Sequence, residues 1–233
     1  MVATDRTKFA PVDRAQELLT PQFIEFLVAL HDRFTPRIHG LRATRAEVLE
    51  RALKDQIMPG PLPVSEANTS EWQVPPVPDE LWKPGIEISG PASITGMFIN
   101  ALNPGPEGTR AEGDLDDDED SAGHRLVDTV TAARNRLSAV QHTLSHHDAE
   151  RRKDYRLQEG HLPFFMHRER GLHLDEPDVT VDGDPVPAAI LGTALTLFHA
   201  GRAQIKRGQG VYFYLAKLES AEEAGFWREF FDY

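Results

Sequence analysis

Apolar positions along the chain follow two rhythms: helical spacing, and short continuous runs. After Thr20-Pro21, a threonine N-cap ahead of a first-turn proline, Phe23, Phe26, Leu27 and Leu30 share one helical face. A second such pair, Thr35-Pro36, predicts that the helix restarts at a bend and continues through Ile38, Leu41, Val48, Leu49 and Leu53. Leu126, Val130, Ala133, Leu137, Val140 and Leu144 recur every three or four residues and predict a helix over 124–144. The continuous runs Ile86–Ile88, Met97–Leu102, Pro163–His167 and Val211–Leu215 suit buried strands. Val179–Val186 reads as a hairpin turning at Asp182-Gly183. A helix follows Pro187 with Ile190, Leu191, Leu195, Phe198 and Ile205 inward, and stops near Gly208 or Gly210. Ser220 and Glu223 form a capping box for a last helix carrying Phe226, Trp227, Phe230 and Phe231.

Strand, helix, strand, helix implies right-handed crossovers and a parallel sheet covered on both faces. The predicted fold is α/β: an N-terminal helical segment, then an incomplete (β/α)8 barrel of three or four parallel strands. Residues 1–19 read as a polar arm. Residues 20–84 read as a helical region ending in a proline-rich loop that wraps the rest of the chain, because flexible linkers rarely carry tryptophans such as Trp72 and Trp82. Residues 85–233 hold the partial barrel, interrupted by an acidic loop at 104–123.

Composition narrows the function. The 233 residues carry 25 basic and 37 acidic side chains, a net charge of −12, and no cysteine. Disulfides, thiolate metal sites and a cysteine nucleophile are therefore excluded, and nonspecific nucleic-acid binding lacks its basic footprint. No apolar run approaches the roughly 20 residues of a membrane span, and no apolar signal core precedes Leu19. A cytoplasmic protein is expected.

Two clusters invite a metal reading. Glu112, Asp114, Asp116–Asp118, Glu119 and Asp120 are acidic enough for a calcium loop, but counting from Asp114 the sixth and twelfth positions are Glu119 and Arg125, where that loop needs glycine and a bidentate acid. The stretch reads as a solvated loop. His142, His146 and His147 have ligand spacing in part, but nothing marks a third ligand, and a polar helix end is expected.

Four segments together carry a resemblance to malate synthase, in the form called type A, from about Leu19 to Tyr233. They are Leu19-Thr20-Pro21 through Phe34-Thr35-Pro36-Arg37; Glu71-Trp72 and Val77-Pro78 followed by Ile86-Glu87-Ile88-Ser89-Gly90-Pro91 and Ile99-Asn100-Ala101-Leu102-Asn103; Arg168-Glu169-Arg170-Gly171-Leu172-His173-Leu174; and Tyr212-Phe213-Tyr214-Leu215-Ala216-Lys217. The sequence departs from the family's pattern at Ala216, where proline is usual, at Gly96, where a basic residue is usual, and at Gly113–Asp117, which replaces an apolar strand before the matching Glu119-Asp120-Ser121.

The resemblance implies a (β/α)8 barrel that condenses acetyl-CoA with glyoxylate and water to malate and CoA with Mg²⁺. It assigns Arg168 to the arginine beside the enolate. It places Arg170, His173, Lys217, Glu119 and Asp120 at neighbouring substrate-binding motif positions. The family's metal-binding glutamate and aspartate and its aspartate base are expected beyond Tyr233, so Mg²⁺ is implied without ligands in this chain and activity of the chain alone is not expected. The alternatives are a non-catalytic module that binds a small acid or a partner, or a remnant of the family. Self-association, or a second chain completing the barrel, is expected to cover the open sheet.

Overall fold

The chain order explains how the sheet is laid down. The computed structural model describes residues 3–82 and 85–233. One helical turn, α1 (Ala3–Arg6), leads into strand β1 (Thr7–Phe9), and the long helix α2 follows (Pro21–Lys54). A short turn, α3 (Glu66–Thr69), precedes β2 (Glu87–Gly90), α4 (Thr95–Leu102), β3 (Gly113–Asp117) and α5 (Leu126–Val140). A hairpin, β4 (Ser145–Asp148) and β5 (Lys153–Arg156), comes before β6 (Phe164–Arg168). A second hairpin, β7 (Asp175–Val181) and β8 (Asp184–Pro187), runs into α6 (Ala188–Leu195). A π-helical turn at Thr196–Gly201 joins α6 to α7 (Arg202–Lys206), and β9 (Tyr212–Phe213) and α8 (Ala221–Asp232) complete the order.

Four strands form one parallel sheet in the order β2-β3-β6-β9. This is the incomplete barrel expected from the alternating pattern. Among the described residues the sheet stops at β2 on one side and β9 on the other, so it does not close.

Helix α2 begins as read: the Thr20 side chain accepts from the Phe23 amide. The restart at Thr35-Pro36 does not occur. Pro36 sits exposed inside one continuous helix, because buried Phe34 and Ile38 on either side hold both halves to the same core. Fully burying such side chains contributes roughly 1.5–3 kcal/mol each, comparable with what an interior proline costs. With Phe23, Leu27 and Leu30, they pack against α6, the β7–β8 hairpin and Phe226 and Phe230 of α8. A second core lies between α4, α5 and the β4–β5 hairpin, around Phe98, Ile99, Leu102, Val140 and Phe165.

Other expectations need correcting. Met97–Leu102, read as a strand, lies in α4; a short apolar run does not distinguish strand from helix, and here Phe98, Ile99 and Leu102 turn one helical face inward. The N-terminal arm is not merely polar. Strand β1 pairs with β7, and Ala15 and Leu18 are buried in the first core. The expected wrapping loop does not bury its tryptophans: Trp72 is 63% and Trp82 70% exposed. Residues 83 and 84, within that loop, lie outside the described residues.

The largest correction concerns the acidic stretch. Gly113–Asp117 is no solvated loop; it is the second strand of the sheet, paired on both sides, with Asp114, Asp116 and Asp117 buried. The hairpin turn is as read, with Asp182 at φ 52° and Gly183 at φ 96°. Two consecutive left-handed residues are what a type I′ connection needs.

Candidate active site at the carboxyl rim

Alternation along a strand sends neighbouring side chains to opposite faces, and this divides the acidic stretch into two sets. Asp116 and Asp118 turn toward the helices outside the sheet. There the fully buried Arg136 of α5 meets Asp116 at 2.8 Å, Asp118 at 3.0 Å and Glu169 at 3.3 Å. His167 Nδ1 lies 2.7 Å from the second oxygen of Asp116. Thr196, in the π-helical turn, donates to Glu169 at 2.7 Å and accepts from Arg136 at 3.2 Å.

The environments of these carboxylates diverge. Burial would raise Asp116, but Arg136 and His167 hold it below the ordinary range. Asp118 is pushed up to about 7, by burial first and by the charges of Glu169 and Asp116, against the pull of Arg136. Burial, with the charge of Asp116, lifts Asp114 well above its usual value, and its Oδ2 has no hydrogen-bond partner. Burying unpaired carboxylates is costly. A buried arginine and partial neutralisation let this strand into the sheet.

The other set meets at the carboxyl ends of β3 and β6, the end where barrel folds carry their active sites. Arg168, the last residue of β6, reaches Asp117 at 3.3 Å, Glu119 at 3.2 Å and Asp120 at 2.7 Å. Its guanidinium also lies 5.3 Å from the centre of the Tyr214 ring. Lys217, just past β9, contacts both oxygens of Glu119 at 2.5 and 2.6 Å and Asp120 at 2.9 Å. The Asp117 carboxylate accepts from the amides of Glu119 and Asp120, at 2.9 and 3.1 Å, and so shapes the turn that presents both acids. Burial opposes the charge on Arg168, but Asp120, Asp117 and Glu119 outweigh it and raise its pKa. Hydrogen bonding with Lys217 first, and with Glu119 and Arg168 after it, holds Asp120 far below its usual value.

Four of the six residues singled out from sequence therefore meet: Arg168, Lys217, Glu119 and Asp120. Arg170 is directed elsewhere. It is buried, pairs with Glu176 at 2.7 Å and donates to Thr129 at 3.2 Å, tying the β7–β8 hairpin to α5. His173 is exposed, with its ring close over Gly171, and partial burial lowers its pKa. Neither touches Arg168.

The Mg²⁺ implied by the resemblance does not fit the donors present. Among the described residues no three His, Asp or Glu side chains gather so as to hold a metal ion, and the Glu119 and Asp120 carboxylates are engaged by Lys217 and Arg168. The His142, His146 and His147 group does not converge either; His147 pairs with Asp154 at 2.6 Å on the β4–β5 hairpin.

Sequence reasoning missed Arg136, His167, Asp116, Asp117, Asp118 and Glu169. A signal existed. Asp114, Asp116 and Asp118 alternate as one face of a strand does, and Arg136 falls on the buried stripe of α5 with Thr129, Ala132, Ala133 and Val140.

A parallel sheet flanked by helices, with ionic side chains gathered where its strands end, is part of a (β/α)8 barrel. Residues 164–233 match the family model described as malate synthase, TIM barrel domain. The chain is 35% identical over 216 residues to a malate synthase of Myxococcus xanthus (strain DK1622), covering 92% of this chain and 38% of that protein. It is 35% identical over 225 residues to a malate synthase of Streptomyces clavuligerus, covering 94% and 40%. With malate synthase A of Escherichia coli (strain K12) it shares 33% over 226 residues, covering 95% and 40%. The chain is similar to these malate synthases along nearly its whole length and spans about 40% of theirs. No described helix is long and apolar enough to cross a membrane.

Proposed function

We propose that this chain contributes the enolate-stabilising side of a malate synthase site, acting on acetyl-CoA and glyoxylate through Arg168. The observation that carries this reading is the position of Arg168: a permanent cation on the last residue of an inner strand, 16% exposed and held by Asp117 and Asp120 at the end of β3. In the condensation a base removes a proton from the acetyl methyl group. The resulting enolate carbon bonds to the aldehyde carbon of glyoxylate, and water then cleaves the thioester to release CoA. Negative charge builds on the thioester oxygen in the first step, and a fixed cation there stabilises it without reorganisation.

Asp117, Glu119 and Asp120 face Arg168 and Lys217, three carboxylates against two cations. The reading assigns these acids to holding Arg168 in place. Because the chain has no cysteine, thiol release from acetyl-CoA can be read with a thiol reagent without background from the protein. Where glyoxylate-dependent release is found, Arg168→Ala should lower turnover by about a hundredfold or more, as for loss of one oxyanion donor; unchanged turnover overturns the assignment. Where the chain releases no thiol, calorimetry should still detect acetyl-CoA binding that Arg168→Ala weakens. Absence of both release and binding overturns the reading.

A second reading, a partner-dependent module, is favoured by the outer edges of β2 and β9, which carry no neighbouring strand among the described residues. Open edges invite pairing with another chain. Light scattering should then show self-association, and a monodisperse monomer that binds no apolar dye argues against it.

A further inference from the structure

At the opposite end of the sheet, where the strands begin, lies a cavity of about 180 Å³ lined by His142, Gly160, His161, Leu162, Arg207 and Gln209. We propose that this cavity binds a phosphate group, inorganic or as a monoester. It is separate from the site at the carboxyl rim: Leu162 and Gln209 precede β6 and β9, whereas Arg168 and Lys217 end or follow them.

The lining selects for an oxyanion. In a chain of net charge −12, none of its side chains is a carboxylate, and it combines a guanidinium, two imidazoles and an amide. A neutral imidazole still offers one N–H donor, and the guanidinium offers several in a planar fork that matches phosphate. Arg207 forms no ion pair among the described residues; the one hydrogen bond of its guanidinium runs to the Gln141 carbonyl at 3.5 Å. That contact caps the end of α5 with a single N–H and leaves the rest of the fork free.

Two of the lining residues also carry buried polar atoms without partners. Gln209 is 7% exposed, yet its Oε1 has no partner, and neither does the enclosed Nδ1 of His142. Buried polar atoms without partners are rare in folded proteins and call for a ligand or ordered water. At about 30 Å³ per water molecule, the space exceeds what a few waters fill and accommodates a phosphate with a small organic substituent.

The test is a titration of the 233-residue chain with inorganic phosphate, followed by NMR of the histidine rings, against potassium chloride at matched ionic strength. His142→Gln and His161→Gln assign the two resonances. Saturable shifts at both rings are expected with phosphate alone, and Arg207→Gln should weaken binding about tenfold or more, the loss of a charge-assisted hydrogen bond. Arg207 is exposed, so a thermal melt of that variant should match the parent. Arg168→Gln, at the other rim, should leave the phosphate affinity unchanged. A phosphate monoester that binds more tightly than free phosphate identifies the esterified form as the ligand; equal binding identifies the free ion. Absence of saturable shifts, equal shifts with chloride, or unchanged affinity in Arg207→Gln overturns the proposal.

Discussion

Arg136 shows how much one side chain can decide. Only 2% of it is exposed, and it faces Asp116, Asp118 and Glu169 at 2.8 to 3.3 Å. Replacing a buried pair by apolar groups can be neutral, but removing one member leaves the others uncompensated. Arg136→Met should therefore cost about 3–5 kcal/mol, read as a lower urea midpoint by circular dichroism. A loss within experimental error would show that the surrounding acids are already neutral without it. The same residue explains what the sequence concealed. The run Gly113–Asp117 looks like a loop because its neutralising partners sit 20 to 50 positions away in the chain, on α5 and β6. Arg168, Glu119, Asp120 and Lys217 were legible because they fall inside recognisable motifs. Asp117, which shapes the turn holding two of them, falls in the segment where the motif breaks down.

At the scale of elements, apolar spacing located α2, α5, α6 and α8, and the turn residues located the β7–β8 hairpin. It failed where a run was too short to show a period, as in α4, or where burial overrode a local breaker. Pro36 is the clearest case. Its exposed position contributes no packing, yet its ring removes a backbone hydrogen bond from the middle of α2. Pro36→Ala should raise stability by roughly 1–3 kcal/mol. Thermal unfolding measures this, and a lower midpoint would mean that the proline sets a helix curvature the core requires.

For the whole molecule, pH links the buried cluster to global stability. Asp118, lifted to about 7 in the folded state, takes up a proton on folding, so its contribution is fully present below the ordinary aspartate range of about 4. That contribution declines as pH rises through 7. His31, His173 and His199 are lowered by burial and act oppositely: the stability they contribute grows as pH rises toward 6.5 and is complete above it. Exposed pairs such as Asp32 and Asp182 with Arg6 lower those carboxylates and matter only in acid. Between pH 6.5 and 8 the raised aspartates, Asp118 and Asp114, dominate, so stability should fall across that window. Asp118→Asn should flatten the slope in chemical denaturation at stepped pH, and an unchanged slope would assign the dependence elsewhere.

A central strand bearing three aspartates also bears on the order of assembly. In an ordinary parallel sheet the middle strand is the most apolar segment and can drive early collapse. Here β3 gains nothing by leaving water until α5 has delivered Arg136 and β6 has delivered His167. Its docking therefore closes the folding reaction instead of starting it, and disrupting the strand should hasten unfolding far more than it slows refolding. For the same reason the segment is a poor seed for aggregation, since copies of it in other unfolded chains would repel one another.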